Sequence, residues 1–256
     1  MGSSRATLLR VALAAAHRAG AIAMRAFGTR LTIETKADAT PVTVIDRACE
    51  EAMRKTITRA FPTDGFLGEE YGSTNPGADI RWIIDPIDGT KGYLRGLPFW
   101  GCMIAREVRG RLDVGVVHMP ALRQTLWATR GGGAFLDGRR IRVSRTASLR
   151  TSYILNGDLE AFAHRGALSR LGRIARSAGV VRSLGDCAAY RWVASGNAEA
   201  VIEAALHPWD VAAIKIIIEE AGGRVTDWAG RDDHMIRNII ASNGRVHGTL
   251  LRALRG

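Results

Sequence analysis

Two aspartates three residues apart close an apolar run in Trp82-Ile83-Ile84-Asp85-Pro86-Ile87-Asp88-Gly89-Thr90. The run has the composition of a buried strand, so Asp85 and Asp88 stand at its mouth, in a turn stiffened by Pro86. Two carboxylates held close in such a place are costly to leave without a cation, because their repulsion adds to the cost of removing charge from water. Gly89 lets backbone N–H groups approach an anion, and Thr90 adds a hydroxyl. A cation site beside an anion site describes metal-dependent phosphate chemistry. Taken alone, the same residues are equally a solvated Asp-Pro/Asp-Gly turn. The other acids have to decide.

Three further carboxylates fall at the ends of predicted elements. Asp46 lies in the first turn of a helix predicted over 43–60, where the helix dipole favours an acid with or without chemistry. Glu69, with Glu70 beside it, ends a short apolar strand that begins at Phe66, a position where paired acids are ordinarily solvated. Asp210 follows a buried strand (200–205) and Pro208, and opens a helix closed by Gly222-Gly223. With Asp85 and Asp88 these make five acids at element termini, where ligand sites are usually built. All are hard oxygen donors suited to a cation such as Mg²⁺. The histidines show no HxH or HExxH spacing. Cys49, Cys102 and Cys187 form no CxxC pair, and no GxSxG elbow occurs. These absences argue against a zinc centre and against a covalent serine or cysteine hydrolase. Gly131-Gly132-Gly133 lacks the Gly-Lys-Ser/Thr ending and following helix of a phosphate loop, and reads as a structural turn.

The elements that must position these acids follow from periodicity. A packing helix spans about 7–27 and is followed by a short strand (31–36) and a polar loop. After an irregular or helical piece (91–98), strands are expected at 99–107, 111–118 and 124–129. Beyond about 145 strands and helices alternate: strand 152–156, mostly helix 159–177, strand 179–183, helix 187–195, then 200–205 and the Asp210 helix. Antiparallel strands first and alternation second predict two layered halves. Residues 1–145 carry most of the candidate ligands and residues 146–256 carry Asp210, with a seam near 143–151.

The bulk properties narrow the partners. The chain has 256 residues and 46% hydrophobic content, enough for a large core. No apolar run reaches membrane-spanning length, the start does not resemble a signal peptide, and three unpaired-looking cysteines suit reduced thiols; a cytoplasmic protein is expected. The formal charge of +11 raises the question of nucleic acid. Yet the basic residues are scattered, no run of five like charges occurs, and base-stacking aromatics are not interleaved, so specific nucleic-acid binding is not expected. A basic exterior attracts anionic substrates equally well.

Four ordered motifs then resemble the inositol-monophosphatase-like superfamily of magnesium-dependent phosphatases over essentially the full length. They are Lys36-x-Asp38-x-Thr40-Pro41-Val42-Thr43-x-x-Asp46, Gly68-Glu69-Glu70, Trp82 to Thr90, and Trp209-Asp210 followed by Glu220-Ala221-Gly222-Gly223. The resemblance implies an α/β/α/β/α layered sandwich of the inositol monophosphatase/fructose-1,6-bisphosphatase type, often a homodimer, with two or three Mg²⁺ ions per site. It implies that Glu69, Asp85 and the carbonyl of Ile87 hold one ion and that Asp85, Asp88 and Asp210 hold another. Asp46, Thr90 and Glu69 are then the catalytic set, with Asp46 and Thr90 orienting the attacking water. The Gly89 and Thr90 amides cradle the phosphate.

Within the superfamily the chain is most similar to the bacterial histidinol-phosphatase branch. The similarity rests on Ser183-Leu184-Gly185-Asp186-Cys187, Val201-Ile202-Glu203, Lys91 and Gly96-Leu97-Pro98-Phe99-Trp100-Gly101. Asp186 and Glu203 lie outside the implied metal set and suit the cationic tail of histidinol phosphate. Asp186 has an alternative role as N-cap of the 187–195 helix. Gly92-Tyr93 departs from the commonest family pattern beside the pocket. A related sugar phosphate, chiefly inositol 1-phosphate, is the alternative substrate; a basic RNA-associated or regulatory protein on the same fold is the non-enzymatic alternative.

Overall fold

The computed structural model describes residues 4–29, 34–35 and 41–255. The Lys36–Thr40 part of the first motif, and most of the strand expected over 31–36, lie outside them.

The chain opens with α1 (Arg5–Ala26), whose N-terminus is capped by the Ser4 side chain accepting from Thr7 N. Its alanine-rich face (Ala12, Ala15, Ala16, Ala19, Ala23) is buried, which lets it lie close to its neighbours. The two-residue strands β1 (Glu34–Thr35) and β2 (Pro41–Val42) pair and lead into α2 (Val44–Ala60). Next come β3 (Gly65–Gly68), β4 (Gly72–Thr74), β5 (Ile80–Asp88) and the short helix α3 (Thr90–Leu94). A meander of β6 (Gly101–Val108), β7 (Arg111–Met119), β8 (Gln124–Thr129), β9 (Gly133–Leu136) and β10 (Arg139–Ile141) completes a sheet of eight strands in the order β10-β9-β8-β7-β6-β5-β3-β4. Alternate side chains of β5 and β6 serve its two faces: Trp82, Ile84, Cys102 and Ile104 pack under α1 and α2, while Ile83, Met103 and Ala105 face the other way.

The rest of the chain alternates, as its pattern suggests. After β11 (Tyr153–Asn156) come α4 (Leu159–His164), α5 (Leu168–Ser177), β12 (Val180–Ser183), α6 (Asp186–Ala194) and β13 (Ala200–Glu203). They are followed by α7 (Pro208–Glu220), β14 (Arg224–Thr226), β15 (Ile239–Ser242) and α8 (His247–Arg255). The five strands pair in the order β12-β11-β13-β15-β14. Apolar clusters mark the layers. One core joins α1 and α2 to the large sheet. The second lies between the sheets around α6 and α7, and the third packs α4, α5 and α8 on the outer face of the small sheet. This is the five-layer α/β/α/β/α sandwich.

Three local expectations change. The helix expected over 159–177 is two helices, broken at Gly166, whose φ of +60° an L side chain rarely adopts. The strand from Phe66 stops at Gly68, so Glu69 sits just past its end. The apolar run of the central motif continues in strand form through Asp88. The Gly131–Gly133 turn is structural: its N–H groups from Gly131 and Gly133 donate to Glu220 at 2.7 and 2.8 Å.

Candidate active site

The central motif gets its shape from a register shift. Along the β5–β6 pair, Asp85 faces Met103 and Asp88 faces Gly101, three steps on one strand against two on the other. In a regular strand, residues three apart point to opposite faces. The bulge cancels that alternation, so the two carboxylates reach one side, where a third arrives from α7. Carboxylate oxygens of Asp85, Asp88 and Asp210 all lie within 4.8 Å of one another.

Two of the three acids are fixed by a backbone N–H. Asp210, in the first turn of α7, accepts from His207 N at 2.7 Å. Asp88 accepts from the N–H of Cys187 in α6. Asp85 is 2% exposed, and its Oδ1 has no hydrogen-bonding partner among the described residues. Burial, then the charges of Glu69, Asp88 and Asp210, push the Asp85 carboxyl well above the usual carboxylate range. Asp88 is raised by burial and by the charges of Asp186 and Asp210. Asp210 is pushed up to about 7 by burial, against the opposing His207 N–H and with Glu69 adding to the rise. An orphaned buried carboxylate oxygen among crowded acids, all hard donors, fits a divalent cation such as Mg²⁺.

Behind this cluster stands Asp46, 1% exposed. Its Oδ2 accepts from Thr43 N at 2.8 Å and from Thr43 Oγ1 at 2.7 Å, the start of α2. Its Oδ1 is 3.5 Å from Thr90 Oγ1, which also donates to the carbonyl of Ile87 at 2.8 Å. The other nine singled-out residues line one continuous cleft. Glu69, Asp85, Ile87, Asp88, Gly89, Thr90 and Asp210 line its main cavity of about 900 Å³. Asp186 and Glu203 line a side arm of about 450 Å³. Asp46 alone is set back from the wall and reaches the cleft through Thr90.

Two glycines in the side arm leave the room that the Glu203 side chain occupies. A Cβ on Gly157 or on Gly185 would lie 2.7 Å from the Glu203 side chain. Tyr190 donates its hydroxyl to Glu203 Oε2 at 2.8 Å. Burial and the charge of Asp186 push Glu203 up to about 8. Asp186 does not cap α6. Gly185 holds the cap position without a side-chain bond, and Asp186 has φ +56°. Its carboxylate instead sits 3.2 Å from where a Gly89 Cβ would be. Burial raises Asp186 while the Lys91 cation opposes the rise. Gly89 itself has φ +84°, a conformation that strains an L side chain, and a Cβ there would press on the Asp186 carboxylate.

Sequence reasoning passed over Thr43 as the partner of Asp46, the Gly157/Gly185 pair and the Tyr190 hydroxyl. Thr43 stands inside the first motif and could have been found three residues before Asp46, at capping-box spacing. The glycines and Tyr190 are remote from Glu203 in sequence and gave no local signal.

A five-layer α/β sandwich with clustered carboxylates between its sheets defines a class of phosphomonoester hydrolases. The chain belongs to the inositol monophosphatase family, whose model matches residues 4–256. It is 39% identical over 248 residues to a histidinol-phosphatase of Chlorobaculum parvum, covering 96% of each chain. It is 36% identical over 261 residues to an inositol-1-monophosphatase of Mesorhizobium japonicum, covering 98% of this chain and 97% of the relative. A crystal structure of the extragenic suppressor protein suhB from Bartonella henselae superposes with a TM-score of 0.91 at 33% identity, covering 97% of this chain and 98% of that one. Among the described residues no helix is long and apolar enough to cross a membrane.

Proposed function

We propose that the protein is a Mg²⁺-dependent phosphomonoesterase that hydrolyses L-histidinol phosphate to L-histidinol and phosphate. The observation that carries the hydrolytic part is the Asp85–Asp88–Asp210 cluster with its orphaned Asp85 oxygen. In this reading Glu69, Asp85 and the Ile87 carbonyl hold one ion, and Asp85, Asp88 and Asp210 hold another. Bound Mg²⁺ supplies charge that makes water nucleophilic near neutral pH and stabilises a leaving alkoxide.

The chain's own groups do the rest. Thr43 saturates Asp46 Oδ2, so Oδ1 is the oxygen directed at Thr90. A water hydrogen-bonded to Thr90 Oγ1 is thereby oriented, and its proton is drawn toward the Thr90–Asp46 pair. Glu69 completes the catalytic set. The Gly89 and Thr90 amides face the phosphate, where Gly89 permits close approach. Catalysis is mainly positional and electrostatic, and no phosphoenzyme is required.

The acidic side arm supports the substrate choice. Asp186 and Glu203 present two carboxyls to a tail that carries an ammonium and an ionisable imidazole. The similarity to curated histidinol-phosphatases supports the same choice, while comparable similarity to an inositol-1-monophosphatase keeps inositol 1-phosphate as the second reading. In both readings residues 1–145 form the half with most metal ligands, and 146–256 the half with Asp210 and the substrate side. A homodimer is expected from the family. Phosphate release from histidinol phosphate that is abolished by EDTA and restored by Mg²⁺ is the test; metal-independent release, or none, overturns the proposal.

A further inference from the structure

The cleft has two arms. The side arm of Asp186 and Glu203 is acidic. The main cavity holds the acidic cluster, and its lining also includes Arg165, His207, Trp209 and Arg237, beside Glu160 and His164, which lie 3.5 Å apart. Lys91 and Asp158 are paired at 3.3 Å and line both arms, so the boundary between them is itself charge-neutral.

The basic wall is joined by hydrogen bonds and ring stacking. Arg237 Nη1 lies 2.7 Å from His207 Nδ1. A guanidinium only donates, so Nδ1 is the acceptor and the ring hydrogen is on Nε2. The His207 and Trp209 rings stack with centroids 4.7 Å apart and an interplanar angle of 2°, forming a flat side to the cavity. Arg165 Nη2 reaches the Arg237 carbonyl at 3.4 Å, which brings the second guanidinium over the same segment. Each guanidinium has five N–H donors. Among the described residues, neither Arg165 nor Arg237 has an ion pair, and each side chain makes one hydrogen bond. Two arginines on a convex surface would signify only solvation. These two converge on one concave wall of the cavity that holds the acidic cluster, and neither is ion-paired among the described residues.

Resting on the phosphomonoesterase reading of the cleft, we propose that the Arg165–Arg237 arm is a second, metal-independent subsite for a phosphate-type oxyanion. Planar guanidinium forks match the oxygen spacing of such a group and bind it bidentately. The occupant is either the orthophosphate released by the reaction or the second phosphoryl group of a bisphosphorylated substrate. In the first case the arm draws the product off the acidic cluster and makes phosphate an inhibitor at two places. In the second it extends the enzyme's range beyond monoesters with cationic tails.

The test is equilibrium binding of inorganic phosphate to the full-length protein in EDTA, where no metal can hold it. Saturable binding of one phosphate per chain is expected, weakened at least tenfold in Arg165→Gln/Arg237→Gln and only partly recovered in Arg165→Lys/Arg237→Lys, which keeps the charge but not the fork. No saturable binding to the metal-free wild type overturns the proposal, and so does unchanged binding in the glutamine variant. Thermal melting of both variants reports folding, and the wild-type measurement stands without them. Kinetics with Mg²⁺ then separate the sources. A free-phosphate site gives mixed inhibition by phosphate that becomes purely competitive in the glutamine variant. A substrate site gives a tenfold or larger fall in kcat/KM for fructose 1,6-bisphosphate relative to a sugar monophosphate. Metal-free binding that depends on the arginines, in a protein without phosphatase activity, upholds the subsite and discards the catalytic reading.

Discussion

The carboxylate of Asp88, at the end of β5, accepts the backbone N–H of Cys187 in the first turn of α6. One acid of the candidate metal cluster therefore caps a helix from the small-sheet side, a role that Gly185 cannot fill. Asp85 has no such structural duty. It is a buried acid with an orphaned oxygen, in repulsion with its neighbours.

The two aspartates should thus separate when neutralised. In EDTA, Asp85→Asn removes repulsion and is expected to melt at or above the wild-type temperature. Asp88→Ala leaves the Cys187 N–H without its acceptor, a loss of about 1 kcal/mol, and is expected to melt roughly 2–4 °C lower. Both should lose the rise in Tm that saturating Mg²⁺ gives the wild type. Differential scanning calorimetry with and without Mg²⁺ reads all three, and equal falls for both variants in EDTA would contradict the division of roles.

The acidic arm predicts a substrate-selective loss. Asp186→Asn should lower kcat/KM for histidinol phosphate at least tenfold, roughly the 1.4 kcal/mol of one charge-assisted contact, and spare a generic aryl phosphate. Equal losses on both would give Asp186 a structural role.

Glu203 adds a pH dependence with a definite sign. Its carboxyl is raised to about 8, so below that pH the free enzyme holds it largely protonated and neutral. A substrate ammonium prefers the carboxylate. KM for histidinol phosphate should therefore fall as pH rises from 6.5 to 8.5, after correction by an aryl phosphate control. Glu203→Gln should flatten that part of the profile.

The glycine slot is testable by one methyl group. Gly157→Ala puts a Cβ 2.7 Å from the Glu203 side chain, which must move. Steady-state assays should show a raised KM for histidinol phosphate with much smaller change for an aryl phosphate. An unaffected KM would show that the position of Glu203 is immaterial.

Glu220 is a structural control. Its two oxygens receive Gly131 N and Gly133 N, and Glu220→Ala leaves those N–H groups without it. A loss of about 1–3 kcal/mol in denaturant-measured stability is expected, with kcat/KM unchanged for folded protein.

Much of this was legible in the sequence. The strand before Asp85, the helix opened by Pro208-Trp209-Asp210 and the alternation beyond residue 145 all follow from periodicity and caps. The five layers came from resemblance, since periodicity gives elements and not their stacking. Convergence of Asp85 and Asp88 was harder to read. Residues three apart in a strand diverge, and only the Met103/Gly101 register exposes the bulge that brings them together. The environment of Glu203 was not legible at all, because Gly157, Gly185 and Tyr190 meet it through tertiary packing alone. Asp186 showed the reverse difficulty: a sequence position suited to capping, which a left-handed backbone turns toward Gly89 instead.

The most direct measurement is a steady-state comparison of histidinol phosphate with inositol 1-phosphate on one preparation with Mg²⁺ present. The account predicts a higher kcat/KM for histidinol phosphate. A higher value for inositol 1-phosphate would contradict it.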